Sequence, residues 1–208
     1  MGKLVLATIT ISGSAKWLLK VGGNKEKWYG SDRIFMYVMT VFGAMTVNYS
    51  EQCTEYGWVV SNLRLLAGCL LAGGLLSAAY MDRRNCWVYN YVWWWCLPWA
   101  GILGLTAGGG FHGIVAVLVF VMLQQLLFSR MYGKADCHAF SVCALAECGN
   151  AVGMVGFLLQ MFLSVVLLTI VQLFRGNVTP RGRLREPQPF IPYIITAFFS
   201  VTFLESVF

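Results

Sequence analysis

The 208-residue chain is 58% hydrophobic and only 12% charged, with a formal net charge of +6, and its mean hydropathy is +0.67. These values exclude an ordinary water-soluble globule and fit an all-α, polytopic membrane protein whose charges sit in loops and at a few interior sites. The basic residues are scattered over inter-segment loops instead of clustering on one face, which speaks for lipid topology and against a nucleic-acid partner.

Taken in chain order, residues 1–33 read as a basic, interfacial segment. Leu4 to Ile11 alternates apolar residues with Thr, and Lys16, Trp17 and Lys20 are residues that anchor at headgroup level. No signal-peptide pattern is evident. Asn24-Lys25-Glu26-Lys27 reads as a solvated turn, and Ile34 to Val47 is a short apolar run that crosses only with help from Asn48, Tyr49 and Ser50. Residues 1–57 are thus set apart, with a possible extra span, from a membrane domain at residues 58–208.

Trp58 to Tyr80 has the length of a full crossing, and its glycines and alanines offer small faces for close packing. Cys86 to Thr106 and Phe111 to Met131 are the next two crossings, separated by a turn at Gly108-Gly109-Gly110. His138 to Phe174 must hold two more, a short one and a longer one from about Val155, with a turn near Gly149-Asn150. After a polar loop with Pro180 and Pro187, Phe190 to Phe208 forms the last apolar run, with Pro192 near its start where proline is tolerated. The sum is six core spans plus one uncertain N-terminal span.

Loop charges orient this threading. Arg83 and Arg84, then Arg130 and Lys134, then Arg175, Arg181, Arg183 and Arg185 share one side, while the opposite loops hold Glu51, Glu55 and His112. Basic short loops face the cytoplasm, so Asp82 and Asp136 are both expected there, as is Lys3 to Arg33 if Ile34 to Ser50 crosses. The seven cysteines contain no C-x-x-C pair, which gives no support to a zinc knuckle, a redox centre or a disulfide framework.

Two stretches carry candidate chemistry. One is Tyr132-Gly133-Lys134-Ala135-Asp136-Cys137-His138-Ala139-Phe140, and the other is Met81-Asp82-Arg83-Arg84-Asn85-Cys86-Trp87-Val88-Tyr89-Asn90. Each places a carboxylate at the foot of an apolar run. Singly, such an Asp is ordinarily a helix N-cap or a solvated loop residue; the shared side is what makes the pair worth pursuing. Arg83 and Arg84 read as topology determinants, and His138 as a polar residue of the interface. Arg64 and Glu147 fall in apolar segments and need partners or a wet cavity, though their estimated depths differ, which argues against their pairing with each other.

These stretches resemble the signatures of the type 4 prepilin leader peptidases and archaeal preflagellin peptidases, the GxGD aspartic membrane proteases. In that family the first Asp begins D-x-x-x-x-x-I-P-N, matched here by Asp82 with Val88-Tyr89-Asn90, and the second ends G-x-G-D, matched by Gly133-Lys134-Ala135-Asp136. Gln188-Pro189-Phe190-Ile191-Pro192-Tyr193 is similar to a Val-Pro-Phe-x-Pro element before the last helix, and the likeness covers roughly Trp58 to Phe203. Three positions depart from the pattern: Ala135 stands for the second glycine, Tyr89 for the proline and His138 for a lysine.

The resemblance implies Asp82 and Asp136 as a catalytic dyad, with Gly133, Lys134, Ala135, Asn90, His138, Pro189 and Pro192 as supporting motif residues. No metal and no cofactor are expected, since a cation held by the two acids would compete with their use in catalysis. The substrate would be a prepilin- or pseudopilin-like protein with a short basic leader, cleaved at the cytoplasmic face of a prokaryotic cell membrane. The chain has no cysteine-bearing insertion, so methyl transfer to the new terminus is not expected. Two rival readings stay open: a non-catalytic family member acting as a scaffold in a pilus or secretion machine, and a small cation-coupled transporter using the acids as an ion site.

Overall fold

The structure is a computed structural model in which residues 2–22, 30–52, 57–107, 111–130, 133–148, 153–175 and 188–207 are described. The turns expected at Asn24–Lys27, Gly108–Gly110 and Gly149–Asn150, together with Pro180, Pro187, Arg181, Arg183 and Arg185, lie outside those residues. Among the described residues the chain forms eight α-helices: α1 (Gly2–Val21), α2 (Gly30–Gln52), α3 (Trp58–Asn85), α4 (Asn90–Thr106), α5 (Phe111–Leu126), α6 (Lys134–Glu147), α7 (Gly153–Phe174) and α8 (Ile191–Val207), with a short 3₁₀ turn at Phe128–Arg130. Three of them, Gly2–Val21, Trp58–Asn85 and the Val155–Phe174 part of α7, are long and apolar enough to cross a bilayer, while Gly113–Leu126 and Ile191–Glu205 are shorter apolar helices. With large apolar side chains exposed along α1, α2, α4, α5 and α7, this is a multi-pass helical membrane protein.

Helix α3 is the hub. In its apolar window 61% of residues are buried inside the protein, against 28% for α1 and 22% for α7. Its small residues explain why. Gly68 meets Val47 of α2, Gly73 meets Ser14 and the Ile11 carbonyl of α1, and Gly74 meets Cys96 and Trp95 of α4. Without lipid-excluding hydrophobic gain between helices, close backbone approach is what binds a membrane bundle, and three seats on one helix gather three neighbours.

The N-terminal segment departs from the interfacial reading. It is a 20-residue helix that buries Ala7, Ile11, Ala15 and Leu18, a stripe at helical spacing. Ser14 opposite Gly73 and Gly22 opposite Met81 make α1 parallel to α3. Lys3 and Arg33 are therefore at opposite ends of the bundle, and not on one side as expected. The hydroxyls that broke up the apolar run are absorbed locally: Thr8 donates to the Leu4 carbonyl, Thr10 to Leu6, Ser12 to Ile9 and Ser14 to Thr10. A hydroxyl bonded to its own helix no longer opposes an apolar setting.

Consecutive helices alternate in direction. Arg64 reaches the Leu103 carbonyl, Gly104 touches Leu145, and Thr202 bonds Glu147, which sets one end each of α3, α4, α6 and α8 side by side. The opposite face gathers the end of α3 and the starts of α2, α4, α6 and α8. Helix α3 also runs further than expected, to Asn85, where Cys86 takes a left-handed φ of 50° and returns its N–H to the Asp82 carbonyl at 2.8 Å. Helix α4 consequently begins at Asn90 instead of Cys86, and carries Pro98 in its interior, which leaves the Trp94 carbonyl without its usual donor.

A Cβ at Gly104 would collide with the Leu145 carbonyl and Cys148 Sγ, whereas one at Gly101 meets nothing within 4 Å. Gly104→Val should therefore part α4 from α6 and destabilise by about 2–3 kcal/mol. Gly101→Ala should be neutral or stabilising by up to about 1 kcal/mol. Thermal unfolding of the two variants in detergent checks the contrast.

Candidate functional site

Asp82 sits in the last turn of α3, not at a helix start, and is only 6% exposed. A carboxylate at a helix C-terminus opposes the helix dipole and needs compensation. It finds that at α8: its Oδ2 accepts the Ile191 N–H at 2.9 Å, with the Phe190 backbone also contributing. The first turn of α8 is then accounted for donor by donor. Ile191 bonds Asp82, Pro192 has no N–H, and Tyr193 and Ile194 both donate to the Phe190 carbonyl at 3.0 and 3.3 Å. Asp82 is thus an N-cap supplied from another helix.

Asp136 is the third residue of α6, and its Oδ2 accepts the N–H of the cap residue Gly133 at 3.2 Å. This is the backward half of a capping box. Gly133 has φ −65° and ψ 151°, ordinary extended backbone. Ala135 lies inside the helix, and Cys86 is the one described non-glycine residue with positive φ. Alanine at that position therefore carries no backbone strain, and Lys134 opens the helix with its side chain exposed.

The two carboxylates share one end of the bundle. Phe140, one turn beyond Asp136, packs on Phe190 with ring centroids 5.9 Å apart, and Phe190 precedes the Ile191 that Asp82 holds. Just past the end of α3, the Cys86 thiol is raised from its ordinary value by partial burial and then by the Asp82 charge. Pro189 is half-buried just before α8 and Pro192 is buried in its first turn, so both belong to the element that Asp82 caps.

Asn90 and His138 belong to a neighbouring feature. They line a groove of about 340 Å³ between α4, α5 and α6, together with Trp93 and Gln125. His138 Nδ1 is 3.3 Å from Gln125 Nε2, and its ring lies 6.0 Å from Trp93. Two positions on from Asp136, it points away along the helix surface, as i and i+2 must.

Sequence reasoning missed Asp32. It is buried in the first turn of α2 and pairs with Arg84 at 3.1 Å and Arg83 at 3.7 Å. Arg83 also lies over the Phe35 ring at 4.8 Å. The two arginines assigned to topology thus also tie α2 to the end of α3. An acid opening an apolar run, opposite a basic pair closing another, was the available signal. At the end of the bundle away from Asp82, Arg64 and Glu147 stand at the same level, not at different depths. Arg64 bonds the Leu103 carbonyl and Thr106, Glu147 accepts from Thr202, and Arg64 and Thr202 line one small cavity of about 50 Å³.

Among the described residues no group of three or more His, Cys, Asp or Glu could hold a metal ion. No protein-family model matches the chain, and neither the curated proteins nor the solved structures give a match.

Removing the Asp82 carboxylate should unseat α8. Asp82→Ala leaves the Ile191 N–H buried without its acceptor and should cost about 1–3 kcal/mol, while Asp82→Asn keeps an acceptor oxygen and should cost less. Asp136→Ala loses one cap bond and should cost about 1 kcal/mol. Detergent melting curves of the three variants give the ranking.

Proposed function

We propose that the chain is an aspartic endopeptidase of the prepilin-peptidase type, acting at the basic face of a prokaryotic cell membrane. The observation that supports this reading is the placement of Asp82 and Asp136 at the same end of the bundle, joined through the Phe140–Phe190 contact between α6 and the start of α8. Two close carboxyl groups do not ionise together easily, so one holds a proton while the other is charged. The charged member takes a proton from water, and the neutral one polarises the scissile carbonyl. Titration belongs to the pair, which leaves the roles of base and acid unassigned between them.

The basic loops around this face, Arg83, Arg84, Lys134 and Arg175, support a cytoplasmic orientation under the rule that short basic loops stay inside. On this reading all eight helices are membrane-embedded, with α1 as the additional N-terminal span. The substrate is a pilin-like protein whose short leader precedes an apolar helix.

A second reading has its own observation. Asp82 caps α8 and Asp136 caps α6, so both acids have a structural task that needs no catalysis, as a scaffold protein would require. Asparagine substitution separates the two, since it preserves an acceptor oxygen while removing the ionisable group.

In a cleavage assay of purified protein with a leader-bearing pilin, the wild type should release the leader with a bell-shaped pH dependence. Asp82→Asn and Asp136→Asn, still folded, should each lose at least about 100-fold in rate. Substantial cleavage by either variant would refute the dyad. No cleavage by any form, with stability losses alone, would leave the acids as caps.

A further inference from the structure

A second feature of the bundle lies on the opposite flank of α3 from the α5–α6–α7 group. Helices α1 and α2 leave between them a groove of about 430 Å³, lined by Thr8, Ser12 and Lys16 on α1 and by Arg33, Tyr37 and Thr40 on α2. The residues on α1 are spaced at i, i+4 and i+8, so the groove follows the helix axis for about 12 Å. Its two cations are together at one end. Arg33 is in the first turns of α2 beside Asp32, on the face where α3 ends, and Lys16 is in the last turns of α1, which ends on that same face.

Chemistry changes along the groove. Lys16, Arg33 and Tyr37 are exposed, and neither cation has a carboxylate partner among the described residues. Asp32, next to Arg33 in the chain, is buried and committed to Arg83 and Arg84. Further in, each hydroxyl gives its proton to its own helix: Thr8 to Leu4 at 2.8 Å, Ser12 to Ile9 at 3.0 Å and Thr40 to Met36 at 2.7 Å. That stretch therefore offers a ligand methyl groups and methylenes and few free donors. Around it the outer surface is apolar, with Val5, Leu6, Ile9, Ile34 and Val38 all exposed.

A site charged at the membrane face and apolar toward the midplane has the profile of one lipid molecule. We propose that this groove binds an anionic phospholipid of the leaflet at the basic face, its phosphate between Lys16 and Arg33 and one acyl chain lying along Thr8, Ser12 and Thr40. Charge complementarity selects the headgroup. Basic pockets between membrane helices on the cytoplasmic side are suited to anionic headgroups, each cation adding attraction near the surface. The depth of the groove selects a lipid over a soluble anion, which has no use for the apolar stretch. Bound there, the lipid would add to the direct packing of α1 against α2. The inference does not depend on the peptidase reading.

Native mass spectrometry of the detergent-solubilised full chain, titrated with dioleoyl phosphatidylglycerol or dioleoyl phosphatidylcholine, tests it. The wild type should retain phosphatidylglycerol preferentially. Lys16→Gln with Arg33→Gln should weaken that retention roughly thirtyfold, as expected for two surface cations. Lys16→Arg with Arg33→Lys, which preserves both charges, should keep it, as should the control Lys3→Gln with Lys20→Gln, which removes two charges outside the groove. Equal retention of the two lipids by wild type would overturn the proposal, and so would an equal loss in the control. Displacement of the bound phosphatidylglycerol by millimolar glycerol 3-phosphate would also overturn it, assigning the cations to a soluble anion.

Discussion

Close approach to α3 is the constraint on which the rest of this bundle depends. Gly68, Gly73 and Gly74 let α2, α1 and α4 come to within side-chain contact of one helix, and that contact decides where α3 ends in space. Its final turn carries Asp82, and the first N–H of α8 lands on that carboxylate at 2.9 Å. A C-terminal acid is a poor choice for an isolated helix. Here it is stabilised by the positive end of a neighbour, so a local conflict becomes a tertiary bond.

The same logic runs round the whole basic face. Asp136 at the start of α6 holds Gly133, Asp32 at the start of α2 holds two arginines from the end of α3, and Asp82 holds α8. Three acids each secure a helix end, all at the same end of the bundle. Helix capping and a carboxylate dyad are therefore compatible uses of one arrangement. The fixed hydrogen bonds to backbone donors hold one oxygen of each acid in place.

At the opposite end, Arg64 with Thr106 and Glu147 with Thr202 join polar atoms of α3, α4, α6 and α8, and Arg64 and Thr202 line a small cavity. Polar groups inside a membrane bundle hydrogen-bond across helices because lipid offers no substitute. The bundle is thus tied at both ends by polar contacts and in the middle by small residues. The flank formed by α1 and α2 is held differently, by the stripe of Ala7, Ile11 and Ala15 on α3 and by the Asp32 ion pairs.

The sequence by itself determined the helical membrane class, because low charge and long apolar runs admit few alternatives. It located most helices to within a few residues and placed Asp82 and Asp136 on one face through loop charge. It misjudged α1, since Thr and Ser look polar in a list of residues but not once each hydroxyl bonds its own helix carbonyl. It missed Asp32 and ended the α3 crossing at Tyr80, before Asp82. Only the tertiary structure decided that α1 runs parallel to α3, that Asp82 ends one helix and begins another, and that His138 turns toward Trp93 and Gln125. Those facts depend on which faces pack together, and packing joins residues far apart in the chain, where neither hydrophobic periodicity nor loop charge carries information.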